Sequence, residues 1–418
     1  MLHYTKQSDP ALYDLLQKEY QRASNNIEMI ASESTVPYEV MELTGSVFTN
    51  KTLEGYPGNR FQAGSEVADE LERLANERAK ALYGADHVNL QPYSGITSNY
   101  SVYASLLQPG DKVLAMRLDH GGHLSHGSVA NFLSKVYDYR HYGVNQDTEQ
   151  IDYEQLEEMA RSFRPKLIIA GGSSYPRVID FARIAKVAKE VDAVFMVDMA
   201  HIAGLVAAKL HPSPIPHADV VTSSTTKTFA GPRAGMIFCK EAFAKKIDQG
   251  VFPGALGSIH IHTMAAKAWS LQYASTDAYR AIMQKVLDNA KALAAALEKK
   301  GFRIVSGGTD NHIVMVDLRE KNISGKQFQN ALDSVGITVN KNQIPFDPAS
   351  PFVTSGARIG TTCVSQRGLG PAEMDIIAGI MNDVAENPED TAVLEACRKK
   401  VLLLIEQFPL YTDRAFFE

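Results

Sequence analysis

Cysteine is scarce in this chain. Its 418 residues hold three, Cys239, Cys363 and Cys397, odd in number and far apart. That excludes a disulfide framework and a zinc-ligand spacing, and suits reduced thiols. Long apolar runs are also missing, so no bilayer-spanning segment and no membrane partner is expected. The opening residues, MLHYTKQSDPALYDLLQKEY, mix charges with apolar side chains and lack the uninterrupted apolar stretch of a secretory signal. A cytoplasmic location is the expectation. Nor is there a surplus of positive charge: 42 Lys and Arg against 48 Asp and Glu leave a net charge of −6. Phosphate backbones demand clustered basic surface, so nucleic acid is not an expected partner. No internal repeat and no low-complexity segment occurs.

What is present is an ordinary globular composition, 45% hydrophobic and 22% charged, in a chain long enough for two domains. Residues 1–50 read as an N-terminal arm, with a helix near Pro10–Arg22 followed by the turn-rich NNIEMIASESTVP. Residues 51–280 form the expected large domain. Within it Val67, Leu71, Leu74, Ala75 and Leu82 recur on one face of a helix from Glu66 to Tyr83. Short apolar runs at Lys112–Met116, Lys166–Ala170, Val194–Asp198, Asp219–Ser224 and Gly235–Cys239 alternate with helical segments. This predicts an α/β fold with a mostly parallel sheet covered on both faces, ligands binding at the strand C-terminal ends. Helical patterning from His262 to Lys300 leads into residues 281–418, a smaller C-terminal α/β domain.

Several residues carry chemistry in this frame. Lys227, in TSSTTKTFAGPRAG, follows a buried strand; desolvation lowers an amine's pKa and makes it a nucleophile toward an aldehyde. Asp198 ends VFMVD, where a carboxylate faces the ligand side and can pair with a pyridine nitrogen. His201 lies three residues on, within hydrogen-bonding reach of a ring substituent. Ser94-Gly95 opens a helix, a place where free N–H groups and the helix dipole favour a phosphate. His123, in GGHLSHG, is a candidate to lie against a ring, whereas His126 reads as a residue satisfying its own loop. Arg358, in TSGARIG, offers a fork for a carboxylate. Glu54, among the turn residues of NKTLEGYPGNR, can move a proton to or from a hydroxyl. No metal site is expected.

Taken in order, NIEMIASES, GSVFTNKTLEGYPGNR, HGGHLSHGS, IDFARIAKVA, VDMAHIAGLVAA, the Lys227 segment and SPFVTSGARIGT resemble the serine hydroxymethyltransferase family across nearly the whole chain. The resemblance implies the aspartate-aminotransferase-like fold (fold type I) and pyridoxal 5′-phosphate (PLP) as cofactor. Tetrahydrofolate would be the co-substrate of an amino acid. It makes Lys227 the Schiff-base lysine, Asp198 the pyridine-nitrogen partner and His123 the ring-stacking residue. Ser173 and His201 would contact the phenolic oxygen, Ser94 and Gly95 would hold the phosphate, and Ser224 would be a further cofactor-binding residue. Gly257 and Glu54 would come from the other subunit of a homodimer, or of a tetramer built on it. Ser32, Thr52 and Arg358 would meet the amino acid, and Glu54, Leu118, Gly122, Leu124, Asn342 and Phe352 the folate.

The chain departs from the family pattern at Thr52, where a tyrosine is usual, at Phe61 and Gln62 in place of paired tyrosines, at Thr226, at Ile96 and at Ser258. These changes remove aromatic bulk beside the substrate, leave the chemical core intact, and cost Arg233 one partner. A methyl on the α-carbon then has room. The leading expectation is therefore interconversion of 2-methylserine and D-alanine. An ordinary serine–glycine enzyme is the first alternative and a folate-independent PLP aldolase or transaldolase the second. A non-catalytic binding protein would have no need to keep Lys227, Asp198, Glu54 and Arg358 together.

Overall fold

The computed structural model describes residues 3–413. Its centre is a seven-stranded sheet whose strands, in chain order, are β1 (His87–Asn89), β2 (Lys112–Met116), β3 (Asp138–Tyr142), β4 (Leu167–Ala170), β5 (Val194–Asp198), β6 (Val220–Ser224) and β7 (Gly235–Cys239). They lie in the order β1-β7-β6-β5-β4-β2-β3. The run from β3 to β6 is parallel, with helices returning the chain between strands. β4, β6 and β7 are buried throughout their length, as expected of strands covered on both faces.

The sheet is mostly parallel, as expected, and β7 is where it departs from parallel: it runs antiparallel to β6 and to β1. The connection from Ser224 to Gly235 is too short for a crossover helix and holds only a turn of 3-10 helix, Lys227–Phe229. An antiparallel return is the geometry so short a link permits. Lys227 thus sits on the loop where the chain reverses.

The helix Glu66–Tyr83 forms as expected, with Leu71, Ala75 and Leu82 facing the core as the pattern predicts but Val67 and Leu74 turned outward. Val67 is 64% and Leu74 41% exposed, while Ala68, Asp69, Glu72, Ala75, Ala79, Leu82 and Tyr83 are buried. Arg60, itself buried, pairs with Asp69 and Glu72 and draws two carboxylates to the inner side. The expected long helical stretch is two helices, Ile261–Tyr273 and Asp277–Lys299. Thr276 caps the second by accepting from the Tyr279 N–H at 3.2 Å.

That second helix spans two apolar cores. Tyr279, Met283, Val286 and Leu287 belong to the core on one face of the large sheet, and Ala290, Leu293, Ala294 and Leu297 to the core of a second unit. The second unit is built on a four-stranded antiparallel sheet: β8 (Arg303–Ile304), β9 (Ile313–Asp317), β10 (Asn340–Asn342) and β11 (Gly356–Gly360), in the order β8-β9-β11-β10. Helices Gly325–Ser334, Pro371–Glu386 and Thr391–Gln407 cover it.

The arm helix, Pro10–Asn25, buries none of its residues. The chain after it pairs Ile27–Glu28 in parallel with Ile337–Thr338, and Gly360 donates its N–H to the Met29 carbonyl at 2.7 Å. Ser32 is thereby held by the far end of the sequence.

Candidate active site

The C-terminal ends of β4, β5 and β6 converge on Asp198. One carboxylate oxygen accepts from the Asn99 amide at 2.9 Å and from His126 Nε2 at 3.3 Å, and the other from the Ala200 N–H at 3.0 Å. Burial alone would raise this carboxyl. The His126 hydrogen bond and the neighbouring positive groups outweigh it and hold Asp198 well below the usual carboxylate range. Asn99 is itself fixed, accepting from the Thr222 hydroxyl at 2.6 Å and donating to Ser125 Oγ at 2.8 Å. Gly171, in the turn after β4, has φ +128°, and a Cβ there would overlap the Asp198 carbonyl oxygen.

His123 Nδ1 accepts from the Ser125 N–H at 3.2 Å and lies 2.8 Å from the Ser125 hydroxyl. Burial, reinforced by His126, lowers its imidazole to about 4, so the ring is neutral near pH 7. His201 is held well below the ordinary imidazole range, first by burial and then by the charges of Lys227 and Arg358. Its Nδ1 lies 3.4 Å from Nε2 of His312, which reaches the Ala31 carbonyl at 3.0 Å. The donor-type atoms of His123, His126 and Asp198 are close enough to suggest a metal triad, but they are engaged in this hydrogen-bond network.

Lys227 has φ +41°, an uncommon backbone for a lysine. Burial lowers its amine to about 8, against the opposing pull of Asp198 and with the help of Arg358. It lines a cavity of about 410 Å³ that also reaches Ser32, Ser173, His123, His201 and Arg358. Leu118, Gly122, Leu124 and Asn342 form further parts of its wall. Ten positions expected from sequence are thus brought around one space.

Arg358 stands on β11. It donates from Nε to Asn340 Oδ1 at 3.1 Å and from Nη1 to the Ser173 carbonyl at 2.6 Å. Among the described residues no carboxylate lies within ion-pair distance of it, and burial pushes its guanidinium down to about 10. A buried cation without a counter-ion asks for an anionic ligand.

Ser94 caps the helix Gly95–Leu106 in a reciprocal arrangement with Thr97. The N–H groups of Gly95 and Ile96 are left without an acceptor among the described residues, as the first turn of a helix leaves them. A Cβ on Gly95 would stand 3.2 Å from that of Ser224, whose hydroxyl pairs with Thr226 at 2.8 Å. Free N–H groups, small hydroxyls, a neutral imidazole, an ionised aspartate and a lowered amine suit the phosphate, ring and aldehyde of PLP.

Thr52, Glu54, Gly257 and Phe352 do not line this cavity. Phe352 is 82% exposed beside the lining residue Pro351. Thr52 is exposed. Glu54 and Gly257 lie together instead, with Glu54 Oε1 3.7 Å from where a Gly257 Cβ would stand. A larger groove of about 730 Å³ runs under the arm helix between Leu16, Tyr20, Val40 and Met41 and touches Ser32, Thr226 and Arg233. It exceeds the Lys227 cavity in volume but lacks Lys227, Arg358, His123 and His201, so the chemistry belongs to the smaller space.

Asn99 and His312 join this network although sequence reasoning assigned them no role, and His126 joins it by serving Asp198 and not its own loop. Asn99 sits inside a helix and His312 at the head of β9, so their partners lie in other elements and leave no local spacing. For His126 the signal was the HxxH pair with His123. The sequence matches the family model described as Serine hydroxymethyltransferase over residues 5–381.

Proposed function

The chain belongs to the serine hydroxymethyltransferase family, and from that premise we propose that it moves a hydroxymethyl group between 2-methylserine, with D-alanine as partner, and tetrahydrofolate. PLP-dependent hydroxymethyl transfer is the family's activity, PLP its cofactor and tetrahydrofolate its co-substrate. When bound, PLP supplies an electron-accepting ring that stabilises charge on the amino acid's α-carbon.

The chain's own residues have definable tasks. Lys227, with its lowered amine, holds the cofactor and gives way to the substrate amine. Asp198, kept ionised by Asn99 and His126, holds a proton on the ring nitrogen. His123 is placed to cover the ring face. Arg358 and Ser32 take the substrate carboxylate, and Glu54 moves a proton at the hydroxymethyl oxygen. Glu54 and Gly257 lie together outside the Lys227 cavity, which supports a homodimer in which each subunit completes the other's site. A cytoplasmic location is part of the same reading.

The observation that carries the substrate assignment is Thr52, a small side chain two residues before Glu54 on an exposed loop. Arg233, whose usual aromatic partner is missing, stands exposed on the adjoining groove. A methyl group on the α-carbon needs the space a tyrosine would fill. The test mixes purified enzyme with D-alanine or with glycine, each with and without tetrahydrofolate, and follows the long-wavelength absorbance of the bound cofactor. A folate-enhanced band with D-alanine and little with glycine is expected, and Thr52→Tyr reverses the preference. The opposite order in the natural enzyme returns the chain to serine and glycine, the second reading, which its family membership favours. A response indifferent to folate points to an aldolase.

A further inference from the structure

Gln62, one of the positions where an aromatic residue is absent, forms a two-point clamp on Glu54. Its Nε2 donates to Glu54 Oε2 at 3.0 Å, and its Oε1 accepts from the Glu54 backbone N–H at 2.7 Å. The hairpin Gly55–Tyr56/Asn59–Arg60 brings the two residues together, and the Phe61 N–H donates to the Glu54 carbonyl at 3.2 Å. Arg60 locks that hairpin from below through Asp69, Glu72 and the Gly55 carbonyl.

The chemistry of the clamp fixes its direction. A backbone N–H can only donate, so the amide oxygen must face it and the amide nitrogen must face the carboxylate. The hydroxyl oxygen of a carboxylic acid is a weaker acceptor than its carbonyl oxygen, so the donated hydrogen bond favours Oε2 as the carbonyl-type oxygen. A proton carried by Glu54 is thereby biased to Oε1, the oxygen toward Gly257.

We propose that Gln62 is a positioning residue that assigns the proton-carrying oxygen of Glu54 and aims it. The inference rests on Glu54 moving a proton at the hydroxymethyl group. A phenol cannot replace the clamp, because one oxygen cannot serve both the N–H and the carboxylate with the spacing an amide provides.

Three variants test it in the full-length holoenzyme, with transfer from the preferred hydroxymethyl donor to tetrahydrofolate as the assay. Gln62→Leu keeps the bulk and loses both bonds; kcat falls on the order of 10- to 100-fold while KM for the amino acid stays within about threefold. Gln62→Glu restores an acceptor for the N–H but places a second carboxyl against Glu54, so it works only when one shared proton bridges the pair. Its kcat should fall with rising pH and recover toward the natural value on the acid side, a response that a merely structural role would not give. Other ionisable groups near the pair are Lys51 on the same loop, bonded to the Ala63 carbonyl, and Tyr93, held above its usual range by burial, with His260 stacked behind it.

Unchanged kcat in Gln62→Leu, or a Gln62→Glu profile parallel to the natural one, overturns the proposal. Glu54→Gln separates the premise from the inference. If Glu54→Gln abolishes transfer and Gln62→Leu does not, the clamp fails alone; if Glu54→Gln transfers normally, the role of Glu54 fails and the clamp with it.

Discussion

Arg358 states its requirement more sharply than any other residue here. A guanidinium that gives two hydrogen bonds to neutral oxygens and meets no carboxylate among the described residues is buried at a cost that an anionic ligand offsets. Arg358→Ala is expected to raise KM for the amino acid by roughly 10- to 100-fold, equivalent to a charged hydrogen bond of about 1.5–3 kcal/mol. Steady-state titration with the amino acid measures it, and Arg358→Lys should recover only part because an ammonium cannot make the paired contact. Lys227, Asp198, His123 and Arg358 were legible in the sequence because each is chemically conspicuous within a short segment. Asn99 and His312 were not, since a buried amide or imidazole in an apolar-looking segment declares nothing until its partner strand arrives. His126 was legible but misjudged: it serves Asp198 across the fold, not its own loop.

At the scale of elements, the hairpin carrying Glu54 depends on a buried charge cluster. Arg60 and the carboxylates of Asp69 and Glu72 are almost wholly excluded from solvent, and Gln91 donates to Glu72 at 2.9 Å and to the Gly55 carbonyl at 3.0 Å. Arg60→Ala takes the shared buried cation from both carboxylates and leaves Asp69 only the exposed Arg73 at 3.8 Å, at a cost of about 3–5 kcal/mol. Denaturant unfolding should show that loss together with reduced transfer, while cofactor binding at Lys227 in the same chain persists. This cluster also explains where periodicity misled. Of the apolar stripe Val67, Leu71, Leu74, Ala75 and Leu82, the last two and Leu71 meet the core, but the charges at Asp69 and Glu72 follow Arg60 inward and turn Val67 and Leu74 out. The parallel core strands were readable as apolar runs; the antiparallel sense of β7 was not, because strand direction depends on the length and path of a connection.

Taken whole, the molecule gathers buried imidazoles that acid must charge. His123 is lowered to about 4, His312 to about 3, chiefly by burial, and His201 well below its ordinary value. Unfolded, all three take up a proton near pH 6.5, so between that pH and about 4 the unfolded chain binds more protons than the folded one. Their contribution is complete above about pH 6.5 and is lost as pH falls, on the order of several kcal/mol in sum. Glu28, raised to about 7 by burial and by Glu33, opposes this because it binds its proton more readily when folded; three imidazoles outweigh one carboxyl. The urea midpoint of the cofactor-free protein should drop across that interval, and a flat midpoint would contradict it. The proposed sharing of sites has its own test at this scale. Equal amounts of Lys227→Ala and Glu54→Gln subunits, each inactive alone, should regain about a quarter of natural activity once subunits exchange at random. The pairing of Ile27 with Ile337 has a last consequence, in the time domain of synthesis. The strand that anchors Ser32 emerges from the ribosome roughly three hundred residues before its partner, about 15–60 s at ordinary elongation rates. Throughout that interval Ile27 and Met29 have no core to enter, so the nascent arm is a natural client for a chaperone that shields apolar segments.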